Sequence, residues 1–289
     1  MRFAFASFTA IVAATLAFAQ PRTRATKSIN PDVSVAHDVD WDSLPPASEP
    51  NTNAKRFAMN LPPLSPKSRR HPQRAAPHRL GTRVRTAPRA QTSPEPPVTQ
   101  TCYMLTNFGY LSPKLNVFGE YGQFQDGQDG AMQVRFVHQP DSFSQMSGQV
   151  MNDPTTGTFP YLGGAVGFAS DSDDFHPGSP NYSYLVGTQK TDPGSPAMVG
   201  DSSFGTATGI PADYQSAIWT LNPESMAITA QWINSDGSAP HTEMCYADDG
   251  NQAILLTGDR DALNENFGTN YPAMTCTCVP VETQEPARI

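Results

Sequence analysis

The run Ala131-Met132-Gln133-Val134-Arg135-Phe136-Val137-His138 decides how the rest of the chain is read. Met132, Val134 and Phe136 alternate with Gln133 and Arg135, a period of two that sends apolar side chains to one face of an extended strand and polar ones to the other. Working outward, the same alternation recurs in Ser225 to Asn234, where Met226, Ile228, Ala230 and Trp232 share a face opposite Thr229 and Gln231. Ala253 to Leu256 is apolar on both faces, as a central strand would be. Shorter runs between clusters of Gly, Pro, Asn, Asp and Ser give further candidate strands. They are Tyr103 to Leu111, Leu115 to Tyr121, Gln145 to Met151, Thr158 to Ala169, Tyr182 to Gly187, Ser203 to Thr208, Gln215 to Leu221, Thr242 to Ala247 and Met274 to Val281. Only Asp259 to Phe267 reads as a helix, with Asp259 placed to cap it and Gly268 to end it. About a dozen strands without interleaved helices predict an all-β fold, a single β-sandwich or jelly-roll-like domain over residues 101–289.

Upstream of that domain the chemistry reverses. Residues 1–100 hold 14 Lys and Arg against 6 Asp and Glu, net +8, whereas residues 101–289 hold 5 against 21, net −16. Arg2 followed by the apolar run Phe3 to Phe18 and the small-x-small ending Ala17-Phe18-Ala19 predicts a signal peptide over 1–19, cut after Ala19, and hence a secreted, extracellular protein. No other window approaches the roughly 18 apolar residues of a membrane helix, so no transmembrane segment is expected. Residues 20–100 are broken by Pro45-Pro46, Pro62-Pro63 and Pro96-Pro97 and show no sustained period, which predicts a disordered, basic, Pro-rich arm or pro-segment. Between Asn51 and Pro94 it carries ten Lys and Arg and no Asp or Glu. Lys55-Arg56 and Arg69-Arg70 are dibasic pairs of the kind processing proteases cut. An anionic surface is the expected partner of such a charge run. Nucleic acid is not, because Phe57 is the one aromatic among the charges on which a base would stack.

Export puts Cys102, Cys245, Cys276 and Cys278 in an oxidising compartment, where disulfides are expected. Cys276 and Cys278 lie two apart on one strand face and are ill placed to bond each other, so each is expected to pair with Cys102 or Cys245, in either combination. Several stretches carry a resemblance: Gly122 through Phe136, Gly163-Gly164-Ala165-Val166-Gly167-Phe168, Ser179-Pro180-Asn181-Tyr182-Ser183-Tyr184-Leu185, Gln231-Trp232-Ile233-Asn234-Ser235-Asp236-Gly237-Ser238 and Leu255-Leu256-Thr257-Gly258-Asp259. Over residues 100–281 the chain resembles a group of secreted proteins of mushroom-forming fungi that has no assigned activity. The resemblance implies export and a shared β domain, and it carries over no catalytic residue.

Three classes of function follow from the residue types. The first is binding of an extracellular glycan or anionic surface. Tyr182, Tyr184 and Tyr271 are its aromatic candidates, since sugar rings stack on exposed aromatic faces. Asn181-Tyr182-Ser183 is an N-glycosylation sequon, and a glycan on Asn181 would require that edge to be exposed. The alternative is a carbohydrate-active hydrolase using two carboxylates from a pool that includes Glu120, Asp141, Asp173, Asp174, Glu243 and Asp259. A structural wall protein without a small ligand is the third. No Gly-x-Ser-x-Gly elbow is present, and His138, His176 and His241 have no neighbours that suggest a base. No cofactor is implied beyond a weak calcium candidate at Asp171, Asp173 and Asp174, whose oxygens crowd one turn.

Overall fold

The computed structural model describes residues 27–47 and 97–281. Among them thirteen strands form one antiparallel sheet: β1 (Val98–Thr106), β2 (Gly109–Leu111), β3 (Phe124–Gln125), β4 (Gln133–His138), β5 (Gly148–Val150), β6 (Tyr161–Val166), β7 (Tyr182–Thr188), β8 (Tyr214–Gln215), β9 (Trp219–Leu221), β10 (Ala227–Ala230), β11 (Glu243–Ala247), β12 (Ala253–Thr257) and β13 (Cys276–Pro280). Their order is β11-β12-β7-β6-β5-β4-β1-β13-β10-β9, with β2, β3 and β8 attached at the side. No helix among these residues is long and apolar enough to cross a membrane.

The sheet curls until both of its ends are paired. At one end Trp219 and Met146 exchange backbone hydrogen bonds of 3.1 and 2.8 Å, and Leu221 N–H donates to the Phe143 carbonyl, so β9 closes onto the segment leading into β5. At the other end Met274 N–H donates to the Met244 carbonyl and Tyr246 N–H to the Pro272 carbonyl, which closes β11 onto the segment leading into β13. Closure removes the unpaired edges that make open sheets prone to association. Inside lies a core that includes Met104, Val134, Phe136, Trp219, Ile228 and Trp232. The β4 alternation is realised: Val134 and Phe136 are buried in that core while Arg135 is half-buried and Val137 exposed.

β7 and β12 are buried on both faces. Ile254 and Leu256 point into the main core, while Ala253 and Leu255 join Tyr182, Tyr184 and Val186 in a second cluster on the outer side. That outer cluster is covered by two helices, α1 (Ser203–Thr208) and α2 (Arg260–Phe267), through Phe204, Leu263 and Phe267. α2 is capped by Asp259, whose side chain accepts from Ala262 N–H, and ends at Gly268 in the left-handed region. α1 replaces an expected strand: Ser202 caps it and Gly209, at φ 70°, stops it. Leu115 to Tyr121 is likewise a turn rather than a strand, because Asn116 Oδ1 takes the Phe118 and Glu120 amides and Gly119 adopts φ 77° where its Cα lies against the Ser203 carbonyl.

The third cover corrects an expectation. Residues 27–47 fall within the stretch read as a disordered arm, yet they run as an ordered strap across the second cluster, with Ile29 and Asn30 only 1% and 2% exposed. The outer faces of Tyr182 and Tyr184 require apolar cover, and Ile29 supplies it. Further along, His37 N–H donates to the Ala207 carbonyl, the Thr158 hydroxyl to the Pro45 carbonyl, and Ala47 N–H to the Gly157 carbonyl. The expected signal peptide and its cut after Ala19, and the dibasic pairs Lys55-Arg56 and Arg69-Arg70, lie outside the described residues.

One disulfide forms, Cys102 to Cys278, with Cα atoms 5.0 Å apart, tying the first strand to the last across 176 residues. Cys245 and Cys276 are free thiols, contrary to the expectation of two bonds. They are buried in different clusters, Cys276 in the main core and Cys245 in the outer one, so the sheet itself separates them.

Candidate functional site

The register of four neighbouring strands sets one outward row of side chains. Thr101 opposes Arg135, Arg135 opposes Gln149, and Gln149 opposes Tyr161. Directly opposed residues share a face, and here their chain neighbours Cys102, Val134, Phe136, Val150 and Leu162 fill the core. The row is therefore held by a rigid sheet while its own side chains are only partly buried. The segment after β4 and the turn after β7 rise on either side and enclose a groove of about 560 Å³ lined by Arg135, Val137, His138, Gln145, Gln149, Tyr161, Lys190 and Asp192, with Pro97 at its rim.

Charge distinguishes this groove from the surrounding domain. Residues 97–281 contain four Lys and Arg, namely Lys114, Arg135, Lys190 and Arg260, and two of them line it. Among the described residues both salt bridges belong to Arg260, through Glu243 and Asp261, so neither Arg135 nor Lys190 is locked in one, and Asp192 is the one carboxylate in the groove lining. His138 is held by its Nδ1 contact with the Gln139 carbonyl at 2.7 Å and by the Phe143 ring. Amide and hydroxyl groups and the Asp192 carboxylate supply the remaining polar lining, and Tyr161 the aromatic one. Such a mixture suits a polyhydroxylated, anionic ligand.

The aromatic candidates expected for sugar stacking are elsewhere. Tyr182 and Tyr184 are fully buried and Tyr271 is 2% exposed, so none offers a ring face to solvent. Burial pushes the hydroxyls of Tyr182 and Tyr184 well up from their usual range. Tyr271 is fixed by donating to Asp249 at 2.6 Å. Asn181 is also buried, and both of its amide functions are used: Nδ2 donates to Ser172 Oγ and the Asp174 carbonyl, while Oδ1 accepts from Asp171 N–H. The sequon asparagine is thus a brace for the acidic turn, and a glycan has no room there.

That brace also accounts for the calcium candidate. Asp174 accepts from the Ser235 amide at 2.6 Å and its hydroxyl at 2.8 Å, and the Asp173 carbonyl accepts from Trp232 Nε1 at 2.7 Å. Asp171, Asp173 and Asp174 do not converge, and no group of three or more His, Cys, Asp or Glu able to hold a metal occurs among the described residues. Asp173 instead meets Asp213 in a 310 Å³ pocket beside Phe168 and Phe204. Its carboxyl is raised above the usual range, first by burial and then by the charge and hydrogen bond of Asp213.

Among the described residues Glu120 is the carboxyl buried completely. Oε2 accepts from Asn116 Nδ2 at 2.7 Å and Asn30 Nδ2 at 3.1 Å, and burial lifts its pKa to about 7. The sequence placed it in an undivided acidic pool, and Asp213 not at all. Arg135 was visible as the polar side of a strand, but its alignment with Gln149 and Tyr161 depends on pairings that local patterns do not encode. In comparisons with known proteins, no family model, no curated protein and no solved structure matches this chain.

Proposed function

We propose that this is an exported binding protein whose sheet-face groove takes an extracellular glycan bearing anionic groups. The observation that carries the reading is the in-register row Arg135, Gln149 and Tyr161 along the groove, joined by Lys190, with neither cation held in a salt bridge among the described residues, on an otherwise acidic domain. Arg135 presents a planar fork suited to a carboxylate or sulfate, Gln149 and the groove serines meet hydroxyls, and Tyr161 packs against a ring. The run of ten Lys and Arg between 51 and 94 lies just ahead in sequence of Pro97, which lines the same groove. Both features attract the same sign of ligand, and tethering them together raises the effective concentration of each. A signal peptide and the resemblance to secreted fungal proteins support an extracellular setting.

Retention of the full-length secreted protein on insoluble acidic and neutral polysaccharides at low salt tests this. Binding to the acidic polymer is expected to weaken about tenfold or more in Arg135→Ala/Lys190→Ala, because a charge-assisted hydrogen bond contributes roughly 1.5–3 kcal/mol. Equal retention of the double variant, or loss only when the basic run is neutralised, would remove the groove from the account and leave the arm as a surface tether.

A further inference from the structure

The strap contributes no strand to the sheet, yet Ile29, Asn30 and Pro31 are buried, the first two where the domain has polar groups already oriented. Tyr184 Oη accepts the Phe168 amide at 3.1 Å and Tyr182 Oη the Ala169 amide at 3.2 Å, which turns both O–H groups toward the Ile29 carbonyl, to which each donates. Asn116 Nδ2 holds Glu120 Oε2 and also donates to the Asn251 carbonyl at 2.9 Å, so the seat of the next residue is assembled from bonds within the domain. Into it Asn30 Nδ2 donates twice, to Glu120 Oε2 and to Asn251 Oδ1 at 3.3 Å. Ile29 fills the apolar part of the seat.

We infer that the seat formed by Tyr182, Tyr184, Glu120, Asn116 and Asn251 is a peptide-binding site whose ligand is this chain's own Ile29–Asn30 segment, held non-covalently and exchangeable with the same segment supplied in trans. Three features mark a ligand rather than an element of the core. The sheet closes at both ends without the strap. Recognition falls on one backbone carbonyl and one side-chain amide, as in peptide sites generally. The junction also leaves Glu120 Oε1 and Asn30 Oδ1 buried without partners, which weakens it relative to a fully satisfied interior. Residues 48–96 connect the segment to the domain, and a tether of that length gives an effective concentration on the order of millimolar, enough to keep a modest ligand in place.

Limited trypsin cleavage of the full chain at the ten Lys and Arg of residues 51–94 tests the inference, with gel filtration and native mass spectrometry as readouts. The peptide spanning 28–47 is expected to co-elute with the domain after cleavage. Excess isotopically labelled synthetic 27–47 peptide is expected to replace it, and an Asn30→Ala peptide to compete about tenfold less well. Separation of the peptide at once, unfolding of the domain as it leaves, or a bound peptide that never exchanges over days would each overturn the proposal. A chain carrying one site-specific protease sequence within 51–94 gives the same readouts should trypsin enter the domain.

Discussion

Two outer faces of one sheet have been treated in opposite ways. Over β7 and β12 the outward residues are apolar or aromatic, and two helices and a strap of distant sequence cover them; over β1, β4, β5 and β6 the outward row is Thr101, Arg135, Gln149 and Tyr161, each of them partly exposed. Tyr184 and Tyr161 show the contrast at a single residue type. The first stacks on Phe204 in a sealed cluster, the second lines an open groove. A face whose alternate positions are apolar must find cover from its own chain, and a polar one is left for solvent or an outside molecule.

The largest effect that would break this comparison is on stability. Tyr184→Ala should cost about 3–5 kcal/mol in urea unfolding, as for a fully buried aromatic, whereas Tyr161→Ala should cost about 1 kcal/mol or less while weakening acidic-glycan binding. Equal destabilisation by both would mean that the groove face is as structural as the covered one. The next effect is a pH dependence contributed by the covered side. Glu120 has a folded pKa near 7 against an ordinary 4.5, because burial outweighs the bonds from Asn116 and Asn30. The folded state therefore holds the proton more tightly, and the resulting stability is fully present below pH 4.5 and lost as pH rises through 7. The loss is about 3 kcal/mol and should vanish in Glu120→Gln, measured by denaturant midpoints from pH 4 to 8. Tyr182 and Tyr184, the titratable neighbours, stay neutral throughout because burial raises them.

Local patterns revealed what local physics determines. Alternation placed β4, two-sided apolarity marked β12 as a strand paired on both edges and buried on both faces, and Asp259 with Gly268 bounded α2. Ser203 to Thr208 misled because Thr and Phe favour strands, while its helix depends on Ser202 and Gly209 at the ends and on Phe204 packing under Tyr184. The strap escaped notice because one short buried stretch, Ile29-Asn30-Pro31, makes no period. Tyr182, Tyr184 and Asn181 were read as exposed from a sequon, a local motif that the packing of the acidic turn overrides. The groove row is a matter of register between strands far apart in sequence, which no single strand announces.

Amide chemical-shift mapping of the ¹⁵N-labelled protein during titration with a soluble acidic oligosaccharide tests the central claim most directly. The account predicts salt-sensitive shifts at Arg135, Gln149, Tyr161 and Lys190, with Tyr182 and Tyr184 unmoved. Shifts centred on the Asp173–Asp213 pocket, or none within the domain at saturating ligand, would contradict it.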